Sequence, residues 1–270
     1  MAADIQPDSL ADEVLRGKNF HGIDRTLVLQ LAERECRLSD NRKEIIKNVK
    51  SKLHQVSAVY RGDRKRPAAL MAVVVGLSEL DDPQTLKEAC RELLQEHVSA
   101  QERLPFLEDF YGEIFSRLPR IDSVLDLACG FNPFAIPWMP LEENFVYEAY
   151  DVYEDMIRLI NAFFSARRIQ GSAKQVNLIE TFPESPAELT FLLKTVPCLE
   201  QLDKNAGRQI LARIGSPFAV VSFPARSISG RSKGMPKNYE AHFLDICDPA
   251  VWNIQKLPFS YELVFLLERK

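Results

Sequence analysis

The sequence predicts an α/β protein in which an all-helical N-terminal region precedes a Rossmann-like, mostly parallel seven-stranded sheet. Three observations predict it. Apolar residues recur three and four apart up to about residue 120, the period of half-buried helices. From residue 123 short apolar runs alternate with helical or loop connections, as in crossover units. The last two runs are separated only by residues 258–260, which can make a tight turn but not a parallel crossover.

Taken in order, Asp24 can cap a helix over 25–38 with Leu27, Leu31 and Leu38 near one face. Asp40 or Asn41 can cap a second, reaching about residue 60, in which Ile45, Val49, Leu53 and Val56 form the stripe. Helices over 67–77 and 83–97 each start at a proline, the residue preorganised for a first turn. Ser99 followed by Glu102 has the spacing of a capping box and predicts a helix from 99 to 118. Strands are expected at 124–128, 145–150, 175–179, 189–196 and 218–223, followed by the hairpin 252–257 and 261–267.

A composition of 46% hydrophobic and 27% charged residues excludes intrinsic disorder. The net charge of -4 hides an uneven distribution: residues 16–66 carry 14 Lys/Arg against 6 Asp/Glu. Lys43, Lys47, Lys50 and Lys52, then Arg61, Arg64, Lys65 and Arg66, gather cations at one end of the helical region, a pattern that suits phosphate neutralisation. Arg226, Arg231, Lys233 and Lys237 surround a Gly- and Ser-rich loop after the fifth strand, which the fold places beside the substrate. Five scattered cysteines without a C-x-x-C pair argue against a disulfide framework or thiolate zinc site and fit a reducing cytoplasm. His21 and His242 have no ligand-like partners at useful spacing, so no metal is expected, and no apolar run approaches the ~20 residues of a membrane span.

The most informative stretch runs from Val124 to Pro133, V-L-D-L-A-C-G-F-N-P. A buried strand enters a turn at Gly130, where the missing Cβ lets a ligand approach the backbone, and Asn132 can cap a helix begun by Pro133. Asp126 can serve the ligand or organise its own loop. Asp151 ends the second strand 25 residues later, where a carboxylate can accept both ribose hydroxyls of a nucleoside. With Phe131 and Pro133 in place of further glycines, the turn is a poor dinucleotide loop and better suits a cofactor without phosphate, S-adenosylmethionine. A sheet ending in an antiparallel hairpin resembles the S-adenosylmethionine methyltransferase fold.

Four motifs in order extend that resemblance. His97-x-Ser99-x-x-Glu102-Arg103, the V-L-D-L-A-C-G-F-N-P turn, F-L-L-K-T-V-P-C-L-E from Phe191, and S-F-P-A-R-S-I-S-G-R-S-K-G-M from Ser222 with Asn238-Tyr239 together resemble the aminoglycoside-resistance 16S rRNA methyltransferases. The resemblance implies methylation of N7 of the A-site guanine usually numbered 1405, in the assembled 30S subunit, by a monomer without metal. It implies a helical docking domain over residues 1–97 and a methyltransferase domain over 98–270. It places His97, Ser99, Gln101, Glu102 and Arg103 against the cofactor, with Arg103 on the methionine carboxylate. Ala128 and Gly130 would line the methionine side, Asp151 hold the ribose, Asn177 and Leu178 flank the adenine, and Leu193 lie beneath the sulfonium. Lys194 would stand at the mouth where the base enters, and Tyr60 would close over the cofactor. Gln101 stands where the family more often has a cation and Asn177 where it more often has Asp. Methylation of another rRNA base, or a ribosome-binding homologue without catalysis, therefore stays open at the level of sequence.

Overall fold

The computed structural model describes residues 5–17, 19–57, 67–225 and 235–270. Tyr60, Arg61, Arg64, Arg226, Arg231 and Lys233 lie outside the described residues. Three N-terminal helices, α1 (Pro7–Leu15), α2 (Arg25–Cys36) and α3 (Arg42–Ser57), bury their apolar stripes in a small core of their own. Asp24 caps α2 by accepting from Thr26 and Leu27, and Asn41 rather than Asp40 accepts from the first turn of α3.

Helices α4 (Pro67–Gly76) and α5 (Pro83–Gln95) follow, the latter capped by Asp82. The single helix expected from Ser99 is instead broken into α6 (Val98–Gln101), a 3-10 turn at Leu104–Phe106 and α7 (Leu107–Phe115). Pro105 cannot donate into a continuous ladder. The Ser99 hydroxyl lies on the His97 ring instead of capping, and Glu102 reaches Lys194.

The sheet has the order β3-β2-β1-β4-β5-β7-β6, with only β7 antiparallel to its neighbours. Its strands are β1 (Ser123–Leu127), β2 (Val146–Asp151), β3 (Gln170–Gln175), β4 (Leu189–Leu193), β5 (Phe218–Pro224), β6 (Trp252–Leu257) and β7 (Glu262–Arg269). The expected third strand at 175–179 is displaced. The observed β3, Q-G-S-A-K-Q, is a polar edge strand that an apolar-run search misses, and the apolar residues after it form a loop. At Gly171 an added Cβ would meet the Tyr147 carbonyl oxygen at 2.0 Å, so the edge pairing itself requires glycine. The fourth strand stops at Leu193, short of 196, because Lys194 turns into the left-handed region (φ 57°) and Pro197 opens helix α9 (Val196–Leu202).

Helices α4, α5, α7 and α8 (Glu154–Arg167) cover one face of the sheet. Helices α9, α10 (Ala206–Arg213) and α11 (Met235–Ile246) cover the other. A division at residue 97 cuts across this packing: Leu70, Val74, Cys90, Leu93 and Leu94 belong to the core of the sheet, whereas α1–α3 form the separate cluster. That cluster is fixed to the sheet by Tyr153 and Leu202.

Candidate functional site

The strand order reverses between β1 and β4, and in such sheets the crevice beyond the carboxyl ends of the strands is the ligand site. A cleft with about 820 Å³ of empty space, part of it open to solvent, lies there. Both strands flanking the reversal leave through strained backbone, Ala128 with φ 50° after β1 and Lys194 after β4.

The turn after β1 is shaped by its neighbours. Gly130 has φ 52°, and a Cβ there would meet His97 Cε1 at 2.7 Å and Nε2 at 2.8 Å. The space freed by this glycine is thus taken by an imidazole as well as facing the cleft. His97 is buried, tilted against Phe131 at 5.4 Å and hydrogen-bonded to Ser99 at 3.1 Å.

Asp151 is buried at the end of β2. Its Oδ2 accepts from the Gly130 backbone N–H (2.9 Å), and its Oδ1 from those of Val152 (2.7 Å) and Tyr153 (3.3 Å). Burial pushes the carboxyl up to about 6 against the pull of these amides. The single bond on Oδ2 leaves this oxygen a lone pair for a further donor.

Asn132 does not cap the 3-10 helix that contains it; its side chain turns inward. The carboxamide accepts from Tyr111 (2.5 Å) and Arg103 (3.4 Å) and donates to Asp126 (3.0 Å). Asp126 also accepts from Tyr147 at 2.7 Å, and burial raises it to about 6. It is therefore a loop organiser beneath the turn.

Arg103 lines the cleft, but its fork is already engaged. Nη2 and Nε bind the two oxygens of buried Glu262 at 2.7 and 3.1 Å, and the Phe110 ring lies under the guanidinium at 4.3 Å. Nη1 is the end of the guanidinium not bonded to Glu262, and it donates to Asn132. Lys194 is not open at the mouth: its Nζ donates to the Ser99 carbonyl (3.2 Å) and to Glu102 (2.7 Å), 3.5 Å from Glu262. Burial alone would raise the Glu262 carboxyl, yet Arg103 and Lys194 hold it below the usual carboxylate range.

His97, Ser99, Arg103, Ala128, Gly130, Asp151, Asn177, Leu178 and Leu193 all border the cleft, whereas buried Lys194 and the exposed pair Gln101 and Glu102 do not. The sequence reading missed Glu262, whose only signal is a carboxylate opening an apolar strand, and Leu27, which α2 inserts from the N-terminal cluster. It also missed the α9 wall of Cys198, Leu199 and Leu202. On α3, Lys43 and Lys47 are exposed and Lys50 is half-buried, while Lys52 folds back onto Glu35. Among the described residues no group of three or more His, Cys, Asp or Glu could hold a metal ion, and no helix is long and apolar enough to cross a membrane.

A family model described as ribosomal RNA methyltransferase (FmrO) matches residues 16–266. A 16S rRNA (guanine(1405)-N(7))-methyltransferase of Micromonospora echinospora is 34% identical over 227 residues, covering 84% of this chain and 83% of that protein. A protein of the same name from Micromonospora rosea is 31% identical over 270 residues, covering 98% of each. Among solved structures, the 16S rRNA methyltransferase RmtF in complex with S-adenosyl-L-homocysteine superposes with a TM-score of 0.85 at 26% identity, covering 99% of each chain. With this correspondence running through both the helical region and the sheet, the chain belongs to the ribosomal RNA methyltransferase (FmrO) family.

Proposed function

We propose that this protein transfers a methyl group from S-adenosylmethionine to N7 of guanine 1405 of 16S rRNA, within the assembled 30S subunit, and thereby confers aminoglycoside resistance. The observation that carries this reading is the similarity along 98% of the chain to a protein named for that reaction. The cleft agrees with it. Asp151 offers a buried carboxylate oxygen for ribose, Asn177 and Leu178 form a nucleobase edge, and Arg103 brings a cation to the other end. When bound, S-adenosylmethionine supplies an electrophilic methyl on a sulfonium.

The chain's own residues then have little proton chemistry to perform. N7 of guanine has a lone pair and no proton, so no general base is required, and the protein's part is to hold and align. Methylation makes the purine cationic. Lys194, the candidate catalytic side chain, is buried beside the cleft and balanced by Glu102 and Glu262, so its charge does not oppose the one that develops on the base. We assign docking on rRNA to α1–α3, with Lys43, Lys47 and Lys50 on phosphates, together with Arg61, Arg64, Arg226, Arg231 and Lys233. Tyr60 is assigned to cofactor closure, and the acting species is a monomer.

Expression in susceptible bacteria tests the reading. Resistance to gentamicin and kanamycin with retained sensitivity to apramycin is expected; added apramycin resistance would point to an A-site adenine instead. Unchanged sensitivity to all three, with folded protein present, would contradict the proposal.

A further inference from the structure

Helix α2 of the N-terminal cluster reaches the nucleoside end of the cleft. Leu27, 2% exposed, lines it from the first turn. The segment leading into α2 is bonded to the residues that follow Asp151: Asp24 N–H donates to the Val152 carbonyl, and Gly22 accepts from Glu154 N–H, both at 2.8 Å.

Asn177 sits at this junction, buried, and an amide has two unlike ends. Its oxygen accepts from Ile179 N–H at 3.2 Å. Its nitrogen faces Thr26 Oγ1 at 3.4 Å and Gln30 Oε1 at 3.3 Å, both on α2. The Thr26 hydroxyl gives its hydrogen to the cap residue Asp24 at 2.6 Å, so it meets Asn177 with lone pairs only. A backbone donor on one side and a committed acceptor on the other therefore hold the amide in one of its two orientations.

We propose that Thr26 and Gln30 are positioning residues for cofactor recognition: they fix the Asn177 amide so that its oxygen, not its nitrogen, serves as the acceptor for the exocyclic amine of adenine. This rests on the reading of the cleft as the S-adenosylmethionine site. The amide oxygen keeps one lone pair beyond its bond to Ile179, which is what an N–H donor on the base requires. Without the α2 acceptors the Ile179 N–H alone opposes the turned-over amide, whose N–H suits a 6-oxo purine better.

Calorimetry on the full chain with S-adenosylhomocysteine and its inosine analogue, S-inosylhomocysteine, tests this. The natural protein is expected to prefer the adenosyl ligand by about tenfold, the scale of one neutral hydrogen bond at the upper end of its range. In the Thr26→Val/Gln30→Leu variant that preference should fall severalfold, the Ile179 N–H alone still holding the amide. Adding Asn177→Asp should restore it, because a carboxylate has no donor end to present. A preference unchanged in the double variant, or equal weakening of both ligands that Asn177→Asp does not rescue, would overturn the inference. Absence of binding of either ligand by the natural protein would instead remove the cofactor reading beneath it.

Discussion

Asp151 and Gly130 concentrate the site's chemistry in two residues. The Asp151 carboxyl, raised by burial to about 6, is protonated in the folded protein over a range where an unfolded Asp is already ionised. Its folded pKa is raised, so its contribution to stability is lost as pH climbs from about 4 to 6 and is constant beyond. The ribose recognition proposed for Asp151 needs the ionised acceptor, so S-adenosylhomocysteine affinity should fall as pH drops through about 6; a calorimetric titration from pH 8 to 5 reads this directly. A flat profile would contradict the assigned role. Gly130→Ala should cost about 1–3 kcal/mol, the cost of an unfavourable φ, and should displace His97. Thermal unfolding and S-adenosylhomocysteine binding measure the two effects separately. Both residues were legible in the sequence because a strand running into glycine, and an acid closing the next strand, are local patterns. Glu262 was not, because its importance comes from Arg103, 159 positions away in the chain.

At the scale of elements, the turn after α6 and the start of β7 meet through the Glu262 carboxylate, which answers both Arg103 and Lys194. Removing one partner from a buried ion cluster leaves the others uncompensated, at a cost of about 3–5 kcal/mol. Glu262→Gln should therefore lower the urea midpoint by a corresponding amount with little change in slope; an unchanged midpoint would show the cluster to be energetically idle. Helices α2 and α3 were readable from caps and stripes, as Asp24 and Asn41 illustrate. The Ser99–Glu102 capping box misled because the Ser99 hydroxyl turns back onto the nearby His97 ring and the Glu102 carboxylate serves a tertiary partner, Lys194. The polar strand β3 was hidden for the opposite reason, since an edge strand has little apolar signal to find.

For the whole molecule, the divided charge matches the proposed division of labour. Helix α3 carries Lys43, Lys47 and Lys50, while the sheet holds a cleft bordered by Asp151, with Glu262 behind Arg103. Neutralising the three lysines together should weaken 30S binding and flatten its log–log salt dependence by about 1 in slope for each phosphate no longer neutralised, with S-adenosylhomocysteine affinity unchanged. The fold class and the cleft's position followed from the strand–helix rhythm and the terminal hairpin. The way α2 enters that cleft did not, because packing between separate cores leaves no periodic trace in the sequence.

The most direct test is to incubate purified 30S subunits with the protein and S-adenosylmethionine, treat the 16S rRNA with borohydride and aniline, and map breaks by primer extension. N7-methylguanine is the base that this treatment cleaves, so a single new break at guanine 1405 is the predicted result. An unbroken strand there, from protein shown to be folded and to bind S-adenosylhomocysteine, would contradict the account.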